Sequence, residues 1–322
     1  MKGDIILLLK KRYPEYVSGE EISSLLGVSR TAVWKHIRGL RDQGYRIESR
    51  SKVGYRLLES PDRLYEHELS GLLRTELIGK KIVYCESVDS TNNLARTLAQ
   101  EGSPDGTVVI AEEQTGGRGR MGRSWYSPPG QGIWFTLILR PPVNPADAAK
   151  ITMVSAVAAA RGIREYTGLA AGIKWPNDIL LSGRKAVGIL TEMNAEIDRV
   201  NYLVVGIGIN INVDRGQVSS ELAAALASLE EEAGRHLSRI ELLAAILNDL
   251  DRLYREFIDG NFSQILIEWR KMSVTLGKLV KVTSLHDTDE GLAFDVDEEG
   301  ALLLRKKDGS VRRILAGDVS LR

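Results

Sequence analysis

Cysteine is almost missing from this chain. Among its 322 residues only Cys85 occurs, and the four histidines, His36, His67, His236 and His286, lie far apart. These scarcities exclude a disulfide framework and a zinc cluster, and they leave Cys85, inside a strand-like run, as a core residue. Long apolar stretches are lacking as well. Near the N-terminus only residues 5–9 form an apolar run, and three basic residues follow it. No stretch approaches the roughly eighteen apolar residues of a membrane span, so a soluble, cytoplasmic protein without membrane partners is expected.

Net charge is also absent, with 43 Lys and Arg against 43 Asp and Glu. The balance hides a segregation. Residues 1–60 hold 12 basic and 7 acidic residues, leaving 31 and 36 for the remainder, which marks the first sixty as a basic module. The length exceeds what one core usually serves, and a hydrophobic content of 43% can fill two or three.

What the chain does have is QTGGRGRMGRSW at 114–125, three arginines set among four glycines. Glycine lets main-chain N–H groups approach a ligand, and Arg118, Arg120 and Arg123 supply forked, permanent cations for phosphate or carboxylate oxygens. The segment reads as an anion-binding loop too flexible to be structural. Residues 117–122 satisfy G-x-G-x-x-G, but Pro128, Pro129 and Gly130 stand where a Rossmann helix would run. A mobile Arg-Gly tract is disfavoured too, because the loop is a single copy between two apolar strands, 107–111 and 133–139.

The basic module has a helix-turn-helix layout. A short helix spans 5–9, Ser18 and Glu21 form a capping box for a second helix ending at Leu26, Gly27 turns the chain, and Ser29 caps a third helix. Val33, Ile37 and Leu40 make that helix's inward stripe, which leaves Arg30, Thr31, Lys35, Arg38 and Arg41 outward. Residues 45–58 read as a hairpin wing with Arg50 and Lys52 available to phosphates, and 28–58 contains eight basic residues and two acidic ones. DNA binding through residues 1–60 is expected, with a small interaction module bearing a solvated basic face as the bland alternative.

After a linker at 59–62, residues 64–272 alternate short strands and helices. Several turns are too short for a helical crossover, which predicts a mixed sheet backed by helices, α+β in class. Residues 273–322 read as short strands joined by glycine or acidic turns, a small β-barrel.

Four segments of the central domain put polar groups at strand ends. They are DSTN at 89–92, KWPNDIL at 174–180, GRKAVGIL at 183–190 and GIGININ at 206–212. Ser90, Thr91 and Asn92 open a helix, a capping position that also leaves donors for an anion. Asn177 and Asp178 project from a proline turn, Lys185 sits on a tight turn, and Gly188 leaves room for a ligand. Together these segments suit the joining of a carboxylate to a nucleotide phosphate, two anions that must both be neutralised.

With GGRGRMGRSW at 116–125, GRKAVGILTE at 183–192 and the basic module in front, the whole chain resembles the bifunctional biotin–protein ligases that also repress the biotin operon. The resemblance implies a class II synthetase-like central domain and an SH3-like C-terminal barrel. It implies biotin, ATP and Mg2+ as substrates and cofactor, and biotinyl-5′-AMP as the intermediate. Ser90, Thr91, Asn92, Gln114, Arg118, Gly119, Arg120 and Lys185 would hold biotin or its adenylate. Trp125, Asn177 and Asn210 would lie on the adenylate side, with Asp178 as the metal ligand and Lys185, Arg118 and Arg120 as the catalytic cations. Implied partners are a biotin carboxyl carrier protein offering one lysine, operator DNA, and a second copy of the chain recruited by the adenylate. Met121 departs from the family, many members of which carry a basic residue there. A lipoate-type ligase and a ligand-sensing repressor without transferase activity are the competing readings.

Overall fold

The computed structural model describes residues 1–284 and 287–321, so His286 lies outside the described residues. Two compact units result, Met1–Leu72 and the remainder from Leu73.

In the first unit α1 (Lys2–Lys11), α2 (Gly19–Leu26) and α3 (Arg30–Asp42) precede a hairpin of β1 (Arg46–Arg50) and β2 (Gly54–Glu59). Both expected caps form: Ser18 Oγ accepts from Glu21 N at 3.0 Å and Ser29 Oγ from Ala32 N at 3.2 Å. Each such cap is worth about 1 kcal/mol. Gly27 ends α2 at φ 63°, a left-handed conformation glycine adopts without strain. Val33, Ile37 and Leu40 are buried with Ile5, Ile6, Leu9 and Ile22, so the apolar stripe of α3 faces the other two helices. A further helix, α4 (Glu66–Ser70), packs on α1, which places residues 64–72 in the first unit although the sequence suggested a second domain from 64.

The second unit opens with β3 (Ile82–Val88), α5 (Thr91–Gln100), β4 (Thr107–Gln114) and β5 (Gly132–Leu139), followed by α6 (Ala148–Thr167). Four strands come next, β6 (Gly172–Lys174), β7 (Asp178–Leu181), β8 (Arg184–Ala195) and β9 (Val200–Asn210). The short α7 (Ser220–Ala225) and α8 (Leu229–Ala233) lead into α9 (Arg239–Ile258) and α10 (Phe262–Met272). The seven strands are ordered β3-β4-β5-β9-β8-β7-β6. Only β3 and β4, joined through α5, run parallel; every other neighbour is antiparallel, as short connections require.

Strand alternation gives the sheet two faces. Ala95 and Ala99 of α5 pack on Val109, Ile138 and Val204 of one face. The other face meets α6, where Thr152 Oγ1 lies 2.8 Å from Thr191 Oγ1, and the start of α9, where Arg239 donates to Glu112 at 2.9 Å with both side chains buried. Because α5 covers only part of its face, the stretch over β8 and β9 stays open to a ligand.

Five antiparallel strands close the chain: β10 (Leu279–Thr283), β11 (Thr288–Val296), β12 (Leu302–Arg305), β13 (Val311–Ile314) and β14 (Asp318–Leu321), in the order β13-β12-β11-β10-β14.

Candidate active site and nucleic-acid interface

Glycines make the floor of the open face. Gly188 of β8 stands opposite Gly208 of β9, two residues along from the pair Leu190 and Gly206. A Cβ on Gly208 would stand 2.3 Å from Trp125 Nε1, one on Gly188 2.8 Å from Trp125 Cζ3, and one on Gly206 2.1 Å from Asn92 Oδ1. Bare backbone is what lets the indole and the amide lie against the sheet.

The glycine–arginine loop covers this floor as an ordered hairpin, which corrects the expectation of a flexible segment. Gly116 N donates to Asp89 O at 2.7 Å, Gly119 N to Arg123 O at 2.7 Å and Trp125 N to Gly117 O at 2.8 Å. Met121 and Gly122 turn the tip with φ 56° and 73°, so the residue that departs from the family sits in a left-handed conformation with its side chain exposed.

Each cation of the loop has a protein partner. Arg118 donates through Nη2 to both Glu192 oxygens at 3.1 Å. Arg120 donates to Asn177 Oδ1 at 3.0 Å and approaches Gly317 O, and Arg123 pairs with Asp318, so two of its arginines reach the C-terminal sheet. Lys185 Nζ lies 2.6 Å from Asp178 Oδ1 and 5.2 Å from the centre of the Trp125 ring. Asp178 Oδ1 is buried and in charge contact only, without a hydrogen-bonding geometry; Trp125 Nε1 is buried and donates to nothing among the described residues.

At the other end, Gln114 Oε1 accepts from Thr91 N at 2.9 Å and from Thr91 Oγ1 at 3.0 Å. Gln114 therefore caps α5, at whose start the sequence placed a cap among residues 89–92; the Ser90 side chain makes no cap bond. Asn92 Oδ1 accepts from Thr136 Oγ1 at 2.7 Å, and Asn92 Nδ2 donates to Glu192 Oε2 at 2.8 Å. The Asp89 carboxyl is held below its usual range, first by the Asn93 amide and then by backbone N–H groups.

Two clefts meet here. One of about 270 Å³ is lined by Ser90, Thr91, Asn92, Gln114, Arg118, Gly119, Arg120, Asn177, Asp178, Gly188 and the glycine floor. The other, about 1110 Å³, runs past Tyr126, Pro128 and Asn210 to Leu222 of α7. Lys185, Trp125, Gln114 and Arg123 line both. Every sequence-chosen residue of the central domain thus lies on one or other cleft. Sequence reasoning missed Glu192, visible only as the last residue of GRKAVGILTE, and Gly317 and Asp318, for which no local signal exists. No group of three or more His, Cys, Asp or Glu side chains gathers for a metal among the described residues.

In the first unit Arg30, Thr31, Lys35 and Arg38 are exposed on α3, and Trp34 beside them is 51% exposed with the Arg38 guanidinium 5.9 Å from its ring centre. Lys52 sits at the hairpin tip with φ 62°, and Arg50 and Arg56 flank the Tyr16 ring at 5.1 and 4.7 Å. Arg41 is exposed as well, and its guanidinium donates to Ile47 O at 2.6 Å and to Ser49 Oγ at 2.6 Å and so ties α3 to the wing.

Residues 84–210 match the biotin/lipoate A/B protein ligase family, residues 3–56 an HTH domain, and residues 275–322 the biotin protein ligase C terminal domain. The bifunctional ligase/repressor BirA of Bacillus subtilis (strain 168) is 40% identical over 321 residues, 100% of this chain and 98% of that protein. Its namesake in Escherichia coli (strain K12) is 32% identical, covering 96% and 94%. Among solved structures, the biotin protein ligase from Aquifex aeolicus in complex with biotin and ATP superposes with a TM-score of 0.65 at 28% identity, over 76% of this chain and 99% of that one. No helix among the described residues is long and apolar enough to cross a membrane. Full-length identity, a matching domain in each third of the chain and the shared ligase fold make this chain a member of the bifunctional biotin–protein ligase/repressor family.

Proposed function

We propose that the second unit joins biotin to ATP as biotinyl-5′-AMP and then transfers biotin to one lysine of a biotin carboxyl carrier protein, while the first unit binds the operator of biotin genes with the adenylate as co-repressor. The observation that carries this reading is the position of Lys185, on the wall common to both clefts. A carboxylate in the narrow cleft and a nucleotide in the wide one would meet there.

In the first step a biotin carboxylate oxygen bonds to the α-phosphorus, the bond to the bridging oxygen breaks, and pyrophosphate leaves. Lys185, Arg118 and Arg120 bring positive charge to two reactants that repel each other. Each cation has a protein partner in this structure, so anionic substrates exchange one set of counter-ions for another. Ser90, Thr91, Asn92 and Gln114 hold the far end of the biotin, Gly119 and Gly188 give the backbone room, and Asn177 steers Arg120. On the adenylate side, Trp125 offers a ring face and an N–H without an acceptor, and Asn210 an amide.

Magnesium fits one residue here. A single partly buried carboxylate, Asp178, suits an ion that keeps most of its coordination for phosphates and water, and such an ion would offset charge on the triphosphate. In the second step the neutral amine of the carrier lysine attacks the acyl carbon, an amide forms and AMP leaves. The loop hairpin keeps water from the mixed anhydride until then.

Pyrophosphate–ATP exchange tests the reading. Exchange is expected with biotin and magnesium and not with lipoate, octanoate or no acid. Exchange with lipoate alone would replace the substrate, and none with any acid would leave a ligand-sensing repressor.

A further inference from the structure

We infer that Glu192 is a positioning residue for the biotin cleft, holding Arg118 and Asn92 in register with the glycine floor; the inference rests on the ligase reading above. Glu192 does not line either cleft. It stands behind two residues that do, on β8, and gathers three side chains from two other elements, the loop and α5. Arg118 of the loop donates to both of its oxygens at 3.1 Å, Arg96 of α5 to Oε1 at 3.2 Å, and Asn92 Nδ2 to Oε2 at 2.8 Å.

That arrangement has a directional consequence. Asn92 spends its carbonyl on Thr136 and its amide on Glu192, so its orientation over Gly206 is set by a charged acceptor. Arg118 has its reach limited in the same way, because a guanidinium anchored at one nitrogen can turn its remaining N–H groups toward the cleft but cannot swing away from it. Arg96 shares the negative charge and keeps Arg118 from neutralising it alone, which lets Arg118 be shared with an incoming carboxylate. Both lining partners of Glu192 belong to the narrow cleft and neither to the wide one. Glu192 therefore governs affinity for biotin and leaves affinity for ATP alone.

Steady-state exchange kinetics with Glu192→Gln test this in the full-length protein, in parent and Arg118→Ala backgrounds. The Gln side chain keeps the shape but loses the charge and turns an N–H toward other donors. In the parent background KM for biotin rises about tenfold, the usual cost of one charge-assisted hydrogen bond, with KM for ATP unchanged. With Arg118 already removed, the same substitution raises KM for biotin by a clearly smaller factor, the part that acts through Asn92 alone, since residues in one network do not add. Glu192→Asp, which keeps the charge, recovers most of the affinity, and Glu192→Ala in the same two backgrounds replaces the Gln variant if that one does not fold. Equal effects in both backgrounds, equal shifts in both KM values, or lower thermal stability with unchanged kinetics each overturn the inference. A parent protein without biotin-dependent exchange would instead overturn the ligase reading.

Discussion

Lys185, on the wall common to both clefts, holds its ammonium 2.6 Å from the Asp178 carboxylate. An anion entering either cleft would compete with Asp178 for that ammonium. That is what a lysine needs if it is to turn from a resting partner to a phosphate during the reaction.

Lys185→Ala is expected to lower biotin-dependent exchange by about 10² to 10³, the usual effect of deleting one charge partner of a transition state. The thermal midpoint should move little, because the ammonium is a third exposed and contributes little to any core. Adding Asp178→Asn removes the stranded carboxylate and should restore any lost stability without restoring rate. A folded Lys185→Ala protein within about threefold of the parent, well inside that range, would deprive Lys185 of its role.

Gly208→Ala should disturb both sides of the site, because Gly208 lines the narrow cleft and the Trp125 ring against it lines both. The added methyl group would fall 2.3 Å from Trp125 Nε1, and the indole, being a side chain on a loop, can shift where backbone cannot. Overpacking of this order costs about 1–3 kcal/mol. KM for ATP and KM for biotin should both rise, by up to a corresponding factor of about five to a hundred, with a changed tryptophan emission. Unchanged emission and unchanged KM for ATP would mean that Trp125 does not lie on the glycine floor.

Arg120→Gly should release the intermediate more than it slows its synthesis. Arg120 spans from Asn177 to Gly317, so its loss removes one tie to each side and leaves the hairpin held by Arg118–Glu192 and Arg123–Asp318. Biotinyl-5′-AMP would then escape and acylate lysines of any protein present. Incubation with biotin, ATP and a bystander protein reads this directly; an unlabelled bystander together with normal carrier transfer would show that Arg120 does not close the site.

Much of this was legible from local chemistry. Ser18 and Ser29 cap the helices that their spacing announced, Val33, Ile37 and Leu40 face inward, and the four polar segments arrive on one face because each ends or begins a strand of the same sheet. What could not be read depends on pairings remote in sequence. Arg120 meets Gly317 across 197 positions, and Glu192 meets Asn92 across 100. Gln114 caps α5 through Thr91 across 23 positions, and the bond from Arg41 to Ile47 follows from where the wing lies against α3. Periodicity carries no information about such partners.

The DNA-binding half yields the prediction that joins the two activities. The exposed cations on α3 and at the wing tip are few, so a single copy should bind DNA weakly and with strong salt dependence, each phosphate contact adding about one unit to the slope of log affinity against log salt. Two copies related by a two-fold axis would read a palindrome whose half-sites lie whole helical turns apart. If the adenylate promotes that pairing, ligand and operator are linked thermodynamically, and each must tighten the other by the same factor. Lys35→Ala or Arg38→Ala should weaken operator binding and leave adenylate synthesis intact, because both side chains lie on α3 of the first unit. Arg41→Ala should also weaken it, but with a loss of thermal stability, since its guanidinium holds the wing strand. The measurement is operator affinity at fixed salt with and without biotinyl-5′-AMP, alongside sedimentation of the protein alone. Equal affinity in both conditions would separate the two activities and leave a ligase that carries an independent DNA-binding domain.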